Sequence, residues 1–88
     1  MMNTCAYHSV VVESFYPSST SGRHGDVHMR PVAGQPLFPP SLFVECSRRL
    51  VRSYPVGTKF RIRAKLSEVK GKQFVYSYHN WPYEVVGQ

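Results

Sequence analysis

Residues 59–66, KFRIRAKL, alternate strictly between cationic and apolar side chains, and this alternation constrains the fold more than any other feature of the chain. Successive side chains of a β-strand point to opposite faces, so a period of two predicts a half-buried strand. The apolar residues expected in a core are Phe60, Ile62, Ala64 and Leu66. The cationic residues expected on the solvent-facing side are Lys59, Arg61, Arg63 and Lys65.

The positive charge of the chain is concentrated around this strand. The chain has 88 residues, 11 Lys and Arg against five Asp and Glu, and a formal net charge of +6. Nine of the basic residues lie between Arg48 and Lys72 with one acid, Glu68, so this segment carries 9 − 1 = +8 and the rest carries 2 − 4 = −2. Such asymmetry indicates a surface that binds polyanions, although a merely soluble basic surface has the same composition.

The length predicts a single domain spanning 1–88. Two cysteines, Cys5 and Cys46, are fewer than a small secreted domain usually needs, so we expect free thiols in a reducing compartment and Cys46 in a core. The first residues lack the charge and apolar run of a signal peptide, and no stretch is apolar enough to span a membrane. We therefore expect a cytoplasmic protein that does not contact membranes.

Runs of β-branched and aromatic residues predict further strands. These runs lie at 7–14, 26–32, 73–80 and 83–86. Because proline cannot donate a ladder hydrogen bond, Pro31 places the second of these strands at a sheet edge or ends it. Irregular loops are expected at 15–25 and 33–41, and in the latter we expect Leu37 and Phe38 to cover the core.

The segment SLFVECSRRLVRSY, residues 41–54, fits two interpretations. One is a single helix capped by Ser41, with apolar residues spaced by three and four positions. The other is a strand followed by a short helix near 47–54 that Ser47 caps, which we favour because the first half is rich in residues that prefer extended backbone. Both interpretations place three arginines on the exposed side of a helix, namely Arg48, Arg49 and Arg52.

These elements predict an α+β or mainly β fold. About five short strands and one short helix favour a small, strongly curved antiparallel sheet. In the number of its elements, this sheet is similar to SH3-like or OB-like (oligonucleotide-binding) barrels, and we expect a partial barrel of that kind.

The connection SEVKGK after KFRIRAKL predicts a β-hairpin, and its register decides where the tyrosines of the returning strand point. A two-residue turn places Tyr76 opposite Lys65. It likewise places Tyr78 opposite Arg63. Tyrosines and cations would then share one exposed face, as in proteins that bind single-stranded nucleic acid.

A three-residue turn with positive φ at Gly71 gives the other register. It places Phe74, Tyr76 and Tyr78 in the core. We favour this register because the two-residue turn requires positive φ at Lys70, a conformation that lysine rarely adopts. In addition, Phe-Tyr-Tyr makes a better inner face than Val-Ser-His.

The cationic face predicts a small, basic, non-catalytic module that binds nucleic acid. Its charges lie about 6.6–6.8 Å apart along the strand, close to the spacing of successive phosphates in a nucleic-acid strand. With the hairpin aromatics in the core, binding would rest on phosphate contacts and depend strongly on salt. The residues predicted to make these contacts are Lys59, Arg61, Arg63, Lys65, Arg48, Arg49 and Arg52.

The alternative is a protein-protein interaction module or a self-associating homodimer whose basic charge only keeps the surface solvated. The stretches QPLFPP and NWPY would then supply apolar contact patches. We expect Trp81, beside Pro82, to fill the core rather than to stack on a base.

No arrangement of residues predicts an enzyme, a cofactor or a metal site. The acidic residues are scattered, and no third group orients a Cys-His pair at Cys46. His24, Asp26 and His28 would share one face of a strand. The two histidines would lie roughly 13 Å apart there, too far to bind one ion.

Overall fold

The computed structural model describes residues 7–16 and 27–87. Along the chain it contains β1 (His8–Phe15), β2 (His28–Pro31), β3 (Phe43–Glu45), α1 (Arg49–Arg52), β4 (Lys59–Val69), β5 (Lys72–Tyr76) and β6 (Tyr83–Gly87). The predictions for Cys5, His24 and Asp26, and for most of the loop at 15–25, concern residues outside these ranges. The fold is mainly β, with little helix.

The strands form one strongly curved sheet with β4 at its centre. The strand order is β2-β1-β4-β5-β3, and β6 also pairs with β4. The first half of β4 pairs with both β1 and β6, and its second half pairs with β5. The end strands β2 and β3 come close together, so the sheet nearly closes into a barrel. The predicted small partial barrel is therefore confirmed.

One detail of the sheet differs from the prediction. β3 pairs with β5 in parallel, whereas we expected antiparallel pairs throughout. The parallel pair arises because α1 and the turn at Pro55–Thr58 separate β3 from β4, so β3 has no hairpin connection to a neighbour. Parallel neighbours in a sheet require such a crossover.

The core fills the inside of the barrel and confirms most of the predicted alternation in β4. Phe60, Ile62 and Ala64 are buried, together with Val10 and Val12 of β1. The prediction for Leu66 is wrong, since 40% of this residue is exposed. Among the described residues, β1 pairs with β4 only as far as Ala64. Leu66 therefore lies beyond the last of these residue pairs.

The edge position of β2 is confirmed. This strand ends at Pro31, and its inward residues Met29 and Pro31 are buried. In the loop that follows, Phe38 is buried and covers the core as expected. Leu37 does not, because 53% of it is exposed.

The side chain of Gln35 extends the pairing between β2 and β1 beyond the end of β2. Its Oε1 accepts a hydrogen bond from the Val11 N–H at 2.9 Å, and its Nε2 donates to the Val11 carbonyl at 2.8 Å. The same Nε2 donates to the Val32 carbonyl at 2.9 Å. This amide therefore gives the Val11 N–H a partner beyond the end of β2, whereas the Val11 carbonyl also accepts a hydrogen bond from the Val32 N–H at 2.9 Å. No sequence pattern predicted that role.

The favoured interpretation of residues 41–54, a strand followed by a short helix, is confirmed. The helix α1 is only four residues long, and its N-cap position is Arg48 rather than Ser47. The Ser47 hydroxyl nevertheless accepts a hydrogen bond from the Arg49 N–H at 3.2 Å. The helix buries Leu50 in the core.

The hairpin register that we favoured is wrong. The turn between β4 and β5 has two residues, with Lys70 at φ 53° and Gly71 at φ 82°. The resulting register pairs Ser67 with Phe74 and Lys65 with Tyr76, so these aromatic residues share the cationic outer face instead of the core.

Two physical effects favour this register over the expected one. A type I′ turn matches the twist of the strands, which offsets the cost of about 1–2 kcal/mol for a left-handed lysine. On the inner side, Val75 is fully buried, and buried Ser77 donates a hydrogen bond to the Arg63 carbonyl at 2.6 Å. The inner face therefore tolerates this polar residue, because its hydroxyl has a hydrogen-bond partner.

Candidate functional site

The four cations of β4 point outward, as the alternation predicts, but they differ in their partners. Arg61 and Arg63 are exposed, and Lys59 and Lys65 are partly buried. Lys59 and Arg61 lie beside carboxylates, whereas Arg63 and Lys65 lie beside aromatic rings. The row therefore divides into a neutralised half and a half that remains positive.

In the neutralised half, Lys59 and Arg61 each lie beside a carboxylate of a neighbouring strand. Arg61 Nη1 lies 2.7 Å from Glu84 Oε1, directly across the pair of β4 and β6. Lys59 Nζ lies 3.8 Å from Glu13 Oε1 on β1, and Glu13 also binds Arg30 at 2.9 Å. A phosphate would have to compete with these carboxylates.

In the positive half, the side chains of Arg63 and Lys65 lie near aromatic rings. Arg63 Cζ is 6.0 Å from the centre of the Trp81 ring, and Lys65 Nζ is 5.4 Å from the centre of the Tyr7 ring. Among the residues that the structure describes, neither cation forms an ion pair. Their charges are therefore free to meet an anion.

The rings around these cations contact each other. The ring centres of Tyr7 and Trp81 are 4.6 Å apart, edge to face, and those of Trp81 and Tyr78 are 5.7 Å apart. His79 lies against Tyr78 at 4.7 Å. We call the following set the aromatic–cationic cluster: Tyr7, Arg63, Lys65, Tyr76, Tyr78 and Trp81.

Three separate chain segments build the aromatic–cationic cluster. Tyr7 directly precedes β1, whose first residue pairs with Ala64, and this places Tyr7 next to Lys65. After β5, the chain leaves the ladder and turns, with the Trp81 N–H donating to the Tyr78 carbonyl at 3.1 Å. This turn brings both rings onto the outer surface.

Trp81 is half-buried within this surface cluster, so the prediction that it fills the core is wrong. For the tyrosines of the hairpin, the two-residue register was the sequence-based alternative that placed them beside cations. For Tyr7 the sequence carried no signal, because its partners are distant in the chain.

The aromatic–cationic cluster is accessible from solvent. Tyr7 is 42% exposed and Tyr78 is 41% exposed. A groove of about 480 Å³ runs beside them over β4, between β1 and β6. Its lining includes Tyr7, Ser9, Arg61, Arg63, Pro82 and Glu84.

The outer face continues from the aromatic–cationic cluster toward the sheet edge at β3. Phe74 follows Tyr76 on the outward side of β5, and Phe43 of β3 pairs with it. Phe43 is 58% exposed and Val69 is 57% exposed. We call Phe43, Val69 and Phe74 the edge patch, which lines a shallow groove of about 580 Å³ together with Lys70 and Lys72.

The arginines of the helical segment lie elsewhere. The ring of Tyr54, just after α1, is 5.2 Å from the ring of Phe60, whose side chain points to the inner side of β4. Arg48, Arg49 and Arg52 are exposed, but α1 packs on the side of β4 opposite its cations. They do not extend the row from Lys59 to Lys65.

Cys46 is a free, partly buried thiol that packs against the core. Burial raises its pKa to about 11, an effect that Glu45 reinforces and Arg48 partly opposes. A thiol with such a pKa is a poor nucleophile at neutral pH. Cys46 lines a cleft of about 470 Å³ between β2 and β3, where His28 also lies.

Within residues 7–16 and 27–87, no three His, Cys, Asp or Glu side chains are grouped to hold a metal ion. The one helix found there is far too short to cross a bilayer.

Comparisons with known proteins give no match. No protein-family model fits the chain, and neither the curated proteins nor the solved structures contain a significant match. The class of this protein is therefore defined by its own fold and surface: a small, mainly β partial barrel with aromatic rings and cations on its outer face.

Proposed function

We propose that this protein is a non-catalytic module that binds nucleic acid through the aromatic–cationic cluster. The observation that carries the proposal is the position of Arg63 and Lys65. Both lie beside aromatic rings of the outer face, and neither has a carboxylate partner among the described residues.

Nucleic acid offers the two chemical groups that this surface would bind. A guanidinium and an ammonium group form charge-assisted hydrogen bonds with phosphate oxygens. Tyrosine and tryptophan rings stack on the faces of bases. An acidic protein would satisfy the cations, but it offers fewer flat rings to stack on those of the cluster.

The proposal assigns unequal roles to the cations named from the sequence. Arg63 and Lys65 would make the main phosphate contacts. Lys59 and Arg61 would contribute less because Glu13 and Glu84 already neutralise them. Arg48, Arg49 and Arg52 would add to the general positive potential without contacting the same ligand segment.

The test is fluorescence anisotropy with labelled single-stranded DNA, duplex DNA and RNA at roughly 50 and 200 mM salt. The key variant is Arg63→Ala with Lys65→Ala. The matched control is Lys59→Ala with Arg61→Ala, which removes the same two residue types from the same strand. We expect the key variant to lose at least about tenfold in affinity and the control to lose much less.

Circular dichroism must show that both variants fold. If the unmodified protein binds none of the three nucleic acids at the lower salt, the proposal is wrong. Equal losses in the two double variants would instead mean that net charge alone attracts the ligand.

A protein-protein interaction module, including a homodimer, is the second candidate. The edge patch favours it, because Phe43 and Val69 are large apolar residues that are mostly exposed. Sedimentation velocity over a range of concentrations would test self-association, with Phe43→Ser as the variant expected to abolish it.

A further inference from the structure

We infer that the ligand is single-stranded and that it crosses the strands of the barrel, from the aromatic–cationic cluster toward the edge patch, instead of following β4. This inference rests on the proposed function and specifies its ligand and binding path. The path would run from Tyr7 on β1, over Lys65 and Tyr76, to Phe74 and Phe43 at the sheet edge.

The ion pairs argue against a path along β4. A strand following β4 would pass from Lys65 to Lys59, into the region where Glu13 and Glu84 lie. Its phosphates would meet carboxylates there and would have to break the 2.7 Å contact between Arg61 and Glu84. Beyond Arg63, each cation of the row already has a carboxylate within 4 Å.

Across the strands, by contrast, aromatic side chains continue. Tyr76 lies opposite Lys65, and Phe74 is the next outward residue of β5. Phe43 pairs with Phe74 on the neighbouring strand and is 58% exposed. Lys70 and Lys72 border this end together with Glu45, so the formal charge of its lining remains positive.

One acidic residue lies beside this path. Glu45 pairs with Tyr76 and is exposed on the outer face of β3. Its carboxylate would repel phosphates, so the strand should pass over Phe74 rather than directly from Tyr76 to β3. The inference therefore predicts that Glu45→Gln strengthens binding.

The exposed rings explain why the ligand is single-stranded. In a duplex, the faces of the bases are stacked on each other and are closed to protein side chains. The outer face of a barrel is also convex, and among the described residues it carries no helix that would enter a groove. Unpaired bases are needed to use the rings. Both ribose and deoxyribose strands fit this inference, because stacking does not distinguish the two sugars.

The length of the path sets the size of the binding site. From β1 through β4 and β5 to β3 there are three inter-strand steps of about 4.8 Å, and the shift from Tyr76 to Phe74 adds about 6.7 Å along β5. The two ends of the path therefore lie roughly 16 Å apart. An extended strand with roughly 6–7 Å between phosphates places about three or four nucleotides over this distance.

The experiment uses oligothymidylates and oligouridylates of two, four, six and eight nucleotides. Because Trp81 is the one tryptophan of the chain, quenching of its fluorescence reports on the cluster end of the path. We expect affinity to rise strongly from two to four nucleotides and little beyond six. We expect a duplex of the same length to compete at least about tenfold more weakly.

Substitutions at Phe43 test the direction of the path. Phe43→Ala should lower the affinity for six nucleotides about tenfold and leave that for two nucleotides unchanged. Phe43→Leu should behave like Phe43→Ala, because leucine keeps apolar area but does not stack, whereas Phe43→Tyr should retain binding and keeps Trp81 as the one tryptophan. The control is Tyr16→Ala, an exposed aromatic residue beyond the opposite end of β1.

The outcomes separate this inference from the proposed function. If Phe43→Ala binds six nucleotides normally while Arg63→Ala with Lys65→Ala does not, the function stands and the path is wrong. If duplex competes as well as single strand, the single-stranded assignment is wrong. If Phe43→Leu binds normally and Phe43→Ala dissociates a dimer, the edge patch is a protein interface. If no oligonucleotide binds the unmodified chain, both proposals fail.

Discussion

Tyr76 lies directly opposite Lys65 on the outer face of the β4–β5 hairpin. This pairing follows from a two-residue turn, which directs Phe74 and Tyr76 of β5 to the outer face instead of the core. It also places a ring next to a cation that has no carboxylate partner among the described residues. The functional proposal depends on this relationship, because cations alone would only suggest a basic surface.

The salt dependence of binding should distinguish two lysines at opposite ends of the same row. Each phosphate contact on a single strand contributes about 0.7 to the slope of log K against log salt. We expect Lys65→Gln to lower the slope by about 0.7, because Lys65 would contact a phosphate. Lys59→Gln should leave it nearly unchanged, because Lys59 lies beside Glu13.

The slope of log K against log salt is measured by anisotropy titrations of each variant at five salt concentrations. The two substitutions change net charge equally, so a difference in slope reports a local contact and not total charge. Identical slopes for the two variants would contradict the division of the row into two halves.

The hairpin turn offers a stabilising substitution. Lys70 has φ 53°, a left-handed conformation that costs lysine about 1–2 kcal/mol and that asparagine tolerates better. We expect Lys70→Asn to raise the free energy of unfolding by about 0.5–1 kcal/mol, as measured by urea denaturation. Lys72→Asn, a matched change within β5, should not stabilise, because asparagine is disfavoured in strands. Destabilisation by Lys70→Asn would contradict the turn geometry.

Gln35 should contribute strongly to stability. Its amide makes three hydrogen bonds to backbone groups of Val11 and Val32. Gln35→Ala leaves the Val11 N–H without this acceptor, whereas the Val11 carbonyl keeps its bond from the Val32 N–H. We therefore expect a loss of about 1–2 kcal/mol in the free energy of unfolding. Gln73→Ala, at an exposed position of β5, is the control and should change it by less than about 0.5 kcal/mol. Similar urea midpoints for the two variants would show that the amide is dispensable.

Cys46 should make stability depend on pH in the alkaline range. Its folded pKa of about 11 lies above the ordinary value of 9.0, so the folded state holds the proton more tightly than the unfolded state. The stabilisation is fully present below about pH 9 and is lost as the pH rises toward 11. Relative to Cys46→Ala, the protein that keeps Cys46 should lose about 1–2 kcal/mol of its free energy of unfolding between pH 8 and 10.5.

Both proteins for this comparison carry Cys5→Ser, so that Cys46 is the one thiol that differs between them. Taking the difference between them removes the contributions of lysines and tyrosines, which titrate in the same range. A difference that stays constant with pH would mean that the Cys46 thiol is not held in its protonated form by burial.

The sequence was sufficient for much of the fold. The alternation in KFRIRAKL predicted the inward Phe60 and Ile62 and the outward cations, because period two is a local property of strands. Pro31 predicted the edge position of β2 for an equally local reason, the missing N–H. The strand and short helix within residues 41–54 followed from local preferences as well.

The candidate site depended on contacts between distant segments. The hairpin register placed a buried Ser77 inside, and its hydrogen bond to the Arg63 carbonyl made that tolerable. Only the neighbouring strands showed that Glu84 neutralises Arg61 while Lys65 stays unpaired among the described residues. Tyr7 and Trp81 are 74 positions apart, and their ring centres are 4.6 Å apart.

The sequence by itself therefore determined that Phe60, Ile62 and Ala64 of β4 face the core and that the opposite face of the strand carries positive charge. The tertiary structure alone decided which of those charges remain available and which rings surround them. The physical reason is that side-chain alternation is set by the backbone of a single strand. Ion pairing and aromatic clustering are set instead by strand register and by turns that bring remote residues together.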